Sequence, residues 1–279
     1  MLRSTRRSAL RALAFAALLL SVAAHAASTD VPAPGQSPKI DAIKQRGSLR
    51  VAAIGEFPWL TGTTSSGTPR RWAYSSARTQ AGPENCGPLE VVPVSHETKV
   101  PILATGDADI SIAPLAVTPQ RLEVVNFVVY SRSSLCFFGL ADNPKLKDVK
   151  SVDDLNRDDL TMAYFTGTPP EAWAPGRFPE VEFRAVSGSG ANAPVEEVMS
   201  KRADFASIDN VAWPQLAKQV PGLVVFPSGD DCLQSNEMAT GVGLAVDKGD
   251  PVFRDWLEAV YEEVKDKVTA AELELLKGS

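Results

Sequence analysis

The sequence predicts an α/β fold built from two similar units, and three observations carry that prediction. Short apolar strands alternate with helical stretches from residue 40 onward, the pattern starts afresh after residue 150, and residues 250–276 read as amphipathic helix. Successive strands separated by helices need crossover connections, so largely parallel sheets flanked by helices are expected.

In the first unit, residues 40–46 form a short helix stopped by Gly47, and residues 49–54 form a strand. Pro58-Trp59 then turns the chain away from the sheet, and residues 61–88, rich in Gly, Ser, Thr and Pro around Trp72 and Tyr74, read as loop. Residues 89–94 give a second strand, 96–105 a helix ending at Gly106, 109–114 a third strand, and Thr118-Pro119 opens a helix reaching residue 125. The second unit has strands over 135–140, 160–165, 181–185, 205–208 and 223–226. Helices start at Ser151 and Thr168 and cover 194–202 and 211–219. A strand over 240–246 precedes the terminal helices, where Phe253, Trp256, Leu257, Val260 and Tyr261 share one face.

The first 26 residues read as an export signal: Arg3, Arg6, Arg7 and Arg11, an apolar run over 12–24, and a small-x-small site at Ala24-His25-Ala26. Cleavage after Ala26 and a periplasmic location are expected, because the run is shorter than the roughly 20 residues a spanning helix needs. No cysteine stands nearby to take a lipid. Residues 27–38, small and Pro-rich, read as an unstructured lead-in. Loss of residues 1–26 removes four arginines and takes the net charge from −6 to −10. With no basic run, neither nucleic acid nor an anionic membrane is expected as partner. His96 is then the single histidine, which argues against histidine-rich metal sites and most histidine-dependent triads. No metal or cofactor is expected. Cys86, Cys136 and Cys232 form at most one internal bridge in an oxidising compartment.

Three constellations carry candidate chemistry. Thr118-Pro119-Gln120-Arg121 follows a strand, and a Thr N-cap with Pro at the first helical position exposes backbone N–H groups beside an arginine suited to a carboxylate. An ordinary cap with a solvated arginine satisfies the same spacing. Thr166-Gly167-Thr168-Pro169-Pro170-Glu171 repeats the grammar in the second unit, so the two openings can face each other beyond the strand ends. Asp209, at the end of an apolar strand, suits a ligand ammonium or, equally, a turn with Asn210. Phe57, Trp59, Trp72 and Tyr74 offer apolar walls or core. The Gly-rich residues 187–192 lack the Lys-Ser/Thr ending of a phosphate cradle.

Four segments together resemble the polar-amino-acid family of periplasmic solute-binding proteins that serve ABC importers. They are residues 40–51, residues 103–110 running into Val117-Thr118-Pro119-Gln120-Arg121, residues 151–155 with 165–168, and residues 243–251. The resemblance spans about residues 39–267. It implies a two-lobed Venus flytrap of the type II periplasmic-binding fold, with lobe 1 over 39–131 plus 239–279 and lobe 2 over 132–238. Hinge strands would lie near 130–134 and 236–240. Arg121 would hold a ligand α-carboxylate with help from the backbone N–H of Thr168, and Asp209 would hold an α-ammonium. Pro114, Ala116, Phe57 and Trp59 would complete the ligand-binding wall. Cys136 and Cys232, both near the hinge in lobe 2, would be the paired cysteines. The implied partners are a small carboxylate-bearing ligand and the permease subunits of an ABC transporter, served by a monomer.

Several positions depart from the family pattern. Residues 113–116 carry no hydroxyl for a ligand amine, residues 61–88 replace the usual first loop and helix, and Pro169-Pro170 remove backbone donors. Carboxylate capture is therefore expected and α-amino recognition stays open. Two alternatives remain: an enzyme resembling cyclohexadienyl or arogenate dehydratases, with Glu56 or Glu171 as cleft acid, and a ligand-sensing module.

Overall fold

The computed structural model describes residues 29–54, 88–187 and 193–277. The expected export signal, Glu56, Phe57, Trp59, Trp72, Tyr74 and Cys86 lie outside these residues, as does most of the Gly-rich run before residue 193. The described elements, in chain order, begin with α1 (Pro38–Arg46), β1 (Leu49–Ala53), β2 (Leu89–Pro93), α2 (Pro101–Ala104) and β3 (Ile110–Ala116). They continue with α3 (Pro119–Val124), β4 (Val125–Leu140), β5 (Thr161–Phe165), α4 (Pro169–Arg177), β6 (Glu182–Val186) and α5 (Ala193–Met199). The last are β7 (Phe205–Asp209), α6 (Trp213–Gln219), β8 (Leu223–Phe226), β9 (Glu237–Asp247) and α7 (Pro251–Lys277).

The strands lie in the order β2-β1-β3-β9-β4-β7-β5-β6, with β8 added to β4. Two parallel groups, β2-β1-β3 and β7-β5-β6, match the crossover pattern of the sequence. The sheet as a whole is mixed because β4 and β9 run antiparallel to their neighbours and connect the two groups. β4 is longer than its apolar stretch suggests: Val125–Leu140 is one strand of 16 residues, pairing with β9 first and with β7 and β8 at its far end. Register shifts between Val129 and Ser131 and between Ser133 and Leu135 mark the passage from one group to the other.

Each group has its own core. Ile40, Val51, Ile110, Phe253, Trp256 and Leu257 bury against one another in the first, so the terminal helix α7 returns to the elements that begin the chain. In the second, Phe137 packs edge-on against Phe178 at 5.1 Å and near Phe205 at 6.1 Å. Fully burying side chains of this size is worth about 1.5–3 kcal/mol each, enough for each group to be held by its own contacts. Cys136 and Cys232 form a disulfide that ties β4 to the 3₁₀ turn Gly229–Cys232 within the second group.

Two local differences from the sequence reading have physical causes. The helix expected over 96–105 shortens to α2, because Pro101 has no N–H for the Glu97 carbonyl and restricts Val100 before it. The lead-in expected to be unstructured is ordered from Thr29: Trp256 Nε1 donates to the Thr29 carbonyl at 3.1 Å, and Val31 packs against the first core. Ser37 completes this attachment by capping α1 at Ile40 N (3.1 Å) and donating to Asp250 at 2.7 Å. That anchor lies more than 200 residues away, beyond any local signal.

Candidate functional site: a cleft between the two parallel groups

β3 positions the first wall. The strand is buried along most of its length, and its Pro114 and Ala116 carbonyls accept hydrogen bonds from side chains. Thr118 caps α3, its hydroxyl accepting from Arg121 N at 3.3 Å, which fixes the turn that aims the Arg121 side chain back along β3. The guanidinium is 9% exposed and donates to the Ala116 carbonyl at 2.9 Å and across the cleft to the Gly167 carbonyl at 3.2 Å. α3 has only six residues, and Arg121 lies in its first turn. Lys99, just before α2 and 3% exposed, donates to the Pro114 carbonyl at 3.1 Å and lies 3.4 Å from His96 Nδ1.

The second wall comes from β5, α4 and β7. Asp209 ends β7 opposite Leu135, and Ser133 donates to it at 3.2 Å. Thr168 precedes α4, but its hydroxyl donates to the Phe165 carbonyl at 2.5 Å and does not cap the helix. Pro169 and Pro170 follow with no N–H, so two of the first-turn donors are missing. Glu171 reaches back to accept from Gly167 N at 2.8 Å.

The two walls touch. The His96 ring stacks on Phe165 with centroids 4.3 Å apart, and Thr166 donates to Glu97. Gly167 has φ +72°, and a Cβ there would stand 2.8 Å from Glu97 Cα and 3.0 Å from the His96 carbonyl. Only glycine allows this approach. A half-open cavity of about 210 Å³ lies between the walls, with Pro114, Ala116, Arg121, Thr168 and Asp209 all on its surface. A groove of about 490 Å³ lies beside it, flanked by the Thr118-Pro119 and Thr168-Pro169 openings and floored by Trp173 and Met238. The arrangement offers cations on one wall and a carboxylate on the other, which suits a small solute carrying both charges.

A profile of bacterial extracellular solute-binding proteins, family 3, matches residues 80–275. The chain belongs to that family. No curated protein sequence matches it. Among solved structures, an ancestral amino acid-binding protein, a precursor of cyclohexadienyl dehydratase, is 25% identical with a TM-score of 0.69, covering 86% of this chain and 98% of its own. A binding component of an ABC transporter from Wolinella succinogenes, complexed with lysine, is 26% identical with a TM-score of 0.67, covering 82% and 94%. An amino acid ABC transporter substrate-binding protein from Streptococcus pneumoniae, bound to L-arginine, shares the fold at 20% identity and a TM-score of 0.70, covering 86% and 98%. The family fold is therefore the two-lobed α/β fold of type II periplasmic binding proteins, and the cleft lies between the lobes.

Of the residues singled out by sequence, Arg121, Thr168, Asp209, Ala116 and Pro114 meet in this cleft, while Phe57 and Trp59 lie outside the described residues. Glu171 is exposed and is not part of the cavity surface. Sequence reasoning missed His96, Lys99, Ser133 and Phe165. The scarcity of histidine was a signal for the first two, since His96 marks a segment in which Lys99 follows by three residues. Ser133 brings a hydroxyl to the cleft from the long strand β4, where it donates to Asp209.

Proposed function

We propose that this protein is a periplasmic receptor that captures a small carboxylate-bearing solute, an amino acid or a close relative, and delivers it to an ABC importer. The observation that supports it most is the placement of Arg121 and Asp209, of opposite charge, on opposite walls of one cavity about the size of a small metabolite. A carboxylate on Arg121 and an ammonium near Asp209 would draw the walls together, which is the work of a flytrap. Lobe 1 comprises residues 39–131 and 239–279 and lobe 2 residues 132–238, a division that the two separate cores support. The chain is exported with cleavage after Ala26, acts as a monomer and meets the permease subunits of its transporter.

The dehydratase reading needs a cleft acid able to donate a proton. Of its two candidates, Glu56 lies outside the described residues, and Glu171 is exposed, accepts a hydrogen bond from Gly167 N and stands off the cavity, which speaks against Glu171 in that role. The direct test is calorimetry of residues 27–279 with amino acids, dicarboxylates and prephenate. Arg121→Ala is expected to weaken binding by about 3–5 kcal/mol, the effect of removing one member of a buried charge pair. Turnover of prephenate, or unchanged affinity in Arg121→Ala, would defeat the proposal.

A further inference from the structure

The start of β9, where the chain passes from the second parallel group back to the first, is held from both sides. On the side of the second group, Arg177 Nε and Nη2 donate to the two carboxylate oxygens of Glu237, each at 2.9 Å. Ser235 Oγ accepts from Glu237 N at 3.2 Å and donates to the Leu135 carbonyl at 2.6 Å. On the side of the first group, Thr240 Oγ1 donates to the Val117 carbonyl at 2.7 Å, and Val117 N donates to the Gly241 carbonyl at 2.8 Å. Met238 and Ala239 lie between these anchors. The ladder is interrupted at the same place: Leu135 faces Glu237 and Ser133 faces Thr240, so these two residues oppose Ser134 alone, whose backbone pairs with Asn210 instead. This is a β-bulge, and where a bulge needs a left-handed residue it takes glycine. Here the left-handed residue is Met238, at φ +49°. A long side chain rarely adopts that backbone, which persists only where its surroundings hold it. Lys201, the other described non-glycine residue with positive φ, stands exposed in the turn after α5.

The form described is a closed one, since the walls of the cleft touch through His96 on Phe165 and Thr166 on Glu97. We propose that Met238 is the pivot of closure: the lobes close by forcing residue 238 into the left-handed region and open as it relaxes to the extended backbone of the rest of β9. The strain then belongs to the closed form and biases the unliganded receptor toward the open one by roughly tenfold. The Met238 side chain packs against the second core and lies on the surface of both the cavity and the groove, so the pivot adjoins the space a solute would fill. Acting through the hinge, it is a positioning residue. This inference rests on the receptor reading and adds what sets the resting state of its hinge.

The experiment is small-angle scattering of the unliganded mature protein beside Met238→Ala, Met238→Gly and Met238→Asn. Alanine deletes the side chain and keeps the strain, glycine removes both, and asparagine tolerates the left-handed region better than other L-residues while keeping a side chain. Met238→Gly should have the smallest radius of gyration, Met238→Asn an intermediate one, and Met238→Ala a radius no smaller than that of the wild type. Lost packing alone would move all three variants alike, and a merely loosened backbone would move Met238→Gly alone. Either of these patterns, or glycine and asparagine variants no more compact than the alanine variant, overturns the proposal. If Met238→Gly does not fold, the asparagine and alanine variants decide by the same order. Scattering needs no ligand, so its outcome is separate from the calorimetry. A receptor that binds its solute without showing this order loses only the pivot, whereas the order without binding of any compound leaves the pivot and removes the receptor reading.

Discussion

The chain opens two helices in the same way, Thr118-Pro119 in the first lobe and Thr168-Pro169 in the second, and uses them differently. Thr118 caps its helix, and the turn it fixes delivers the Arg121 guanidinium into the cleft. Thr168 turns its hydroxyl onto the Phe165 carbonyl instead, and Pro169-Pro170 leave that helix start with fewer N–H groups for an anion. A repeated sequence motif thus places a guanidinium in the cleft at one opening and proline surface at the other. The lesson is that a Thr-Pro opening specifies a helix start, and the residue two positions after the proline, Arg121 in one case and Glu171 in the other, sets the charge that the start presents.

The largest effect that follows is an asymmetry between the two openings. Arg121→Ala should cost the 3–5 kcal/mol of affinity given above, whereas Thr168→Ala loses one neutral hydrogen bond and should cost about 1 kcal/mol. Equal losses in calorimetry would mean that the second opening contributes to the ligand as much as the first. The disulfide extends the contrast to stability. Cys136–Cys232 closes a loop of 96 residues that comprises most of the second lobe. Its removal in the double alanine variant should cost about 3 kcal/mol. Amide exchange should rise over β7, β8 and α6 and stay near its original level in β1 to β3; a uniform rise would show that the lobes unfold as one unit.

Closure should depend on Gly167, which belongs to the second lobe but fits against the backbone of the first. Gly167→Ala adds a Cβ at 2.8 Å from Glu97 Cα on a residue with φ +72°, a conformation that costs an L-residue about 1–2 kcal/mol before the contact is counted. Thermal stability should fall by the backbone cost of about 1–2 kcal/mol, and affinity should fall by roughly tenfold or more beyond it. Small-angle scattering of the liganded variant should retain the larger radius of an open form. A variant that closes normally would show that the walls can meet without this approach.

Which parts of this were legible in the sequence follows from how far apart the interacting residues are. The Thr118-Pro119 and Thr168-Pro169 starts are local and were read directly, whereas the equally local Ser37-Pro38 start was passed over inside the lead-in. Arg121 and Asp209 were visible because each sits at an element boundary where a strand ends. Lys99 and Ser133 were not, because their meaning depends on the Pro114 carbonyl and on Asp209, 15 and 76 positions away. The continuity of β4 was hidden by the polar run Ser131-Arg132-Ser133-Ser134, whose backbone is satisfied by β9 and Asn210 rather than by any apolar pattern. The order of residues 29–37 likewise came from Trp256 and Asp250 at the far end of the chain.

The smallest predicted effect concerns a charge cluster confined to the second lobe. Glu197 on α5 accepts two hydrogen bonds from Arg202, both at 2.9 Å, and a third from Arg184 on β6. The Arg202 guanidinium foremost, with Arg184, holds the Glu197 carboxyl down to about 2, against the usual glutamate range. A carboxylate whose folded-state value is depressed stabilises the fold fully above its unfolded value near 4.5, and the contribution fades as pH falls through 2. Both arginines are about half-exposed, so solvent screening limits the effect to about 1 kcal/mol. Glu197→Gln should therefore lower stability at pH 7, and the gap from the wild type should narrow between pH 4.5 and 2. A gap that stays constant over this window would mean that packing of the glutamate stem, and not its charge, holds α5 to β6.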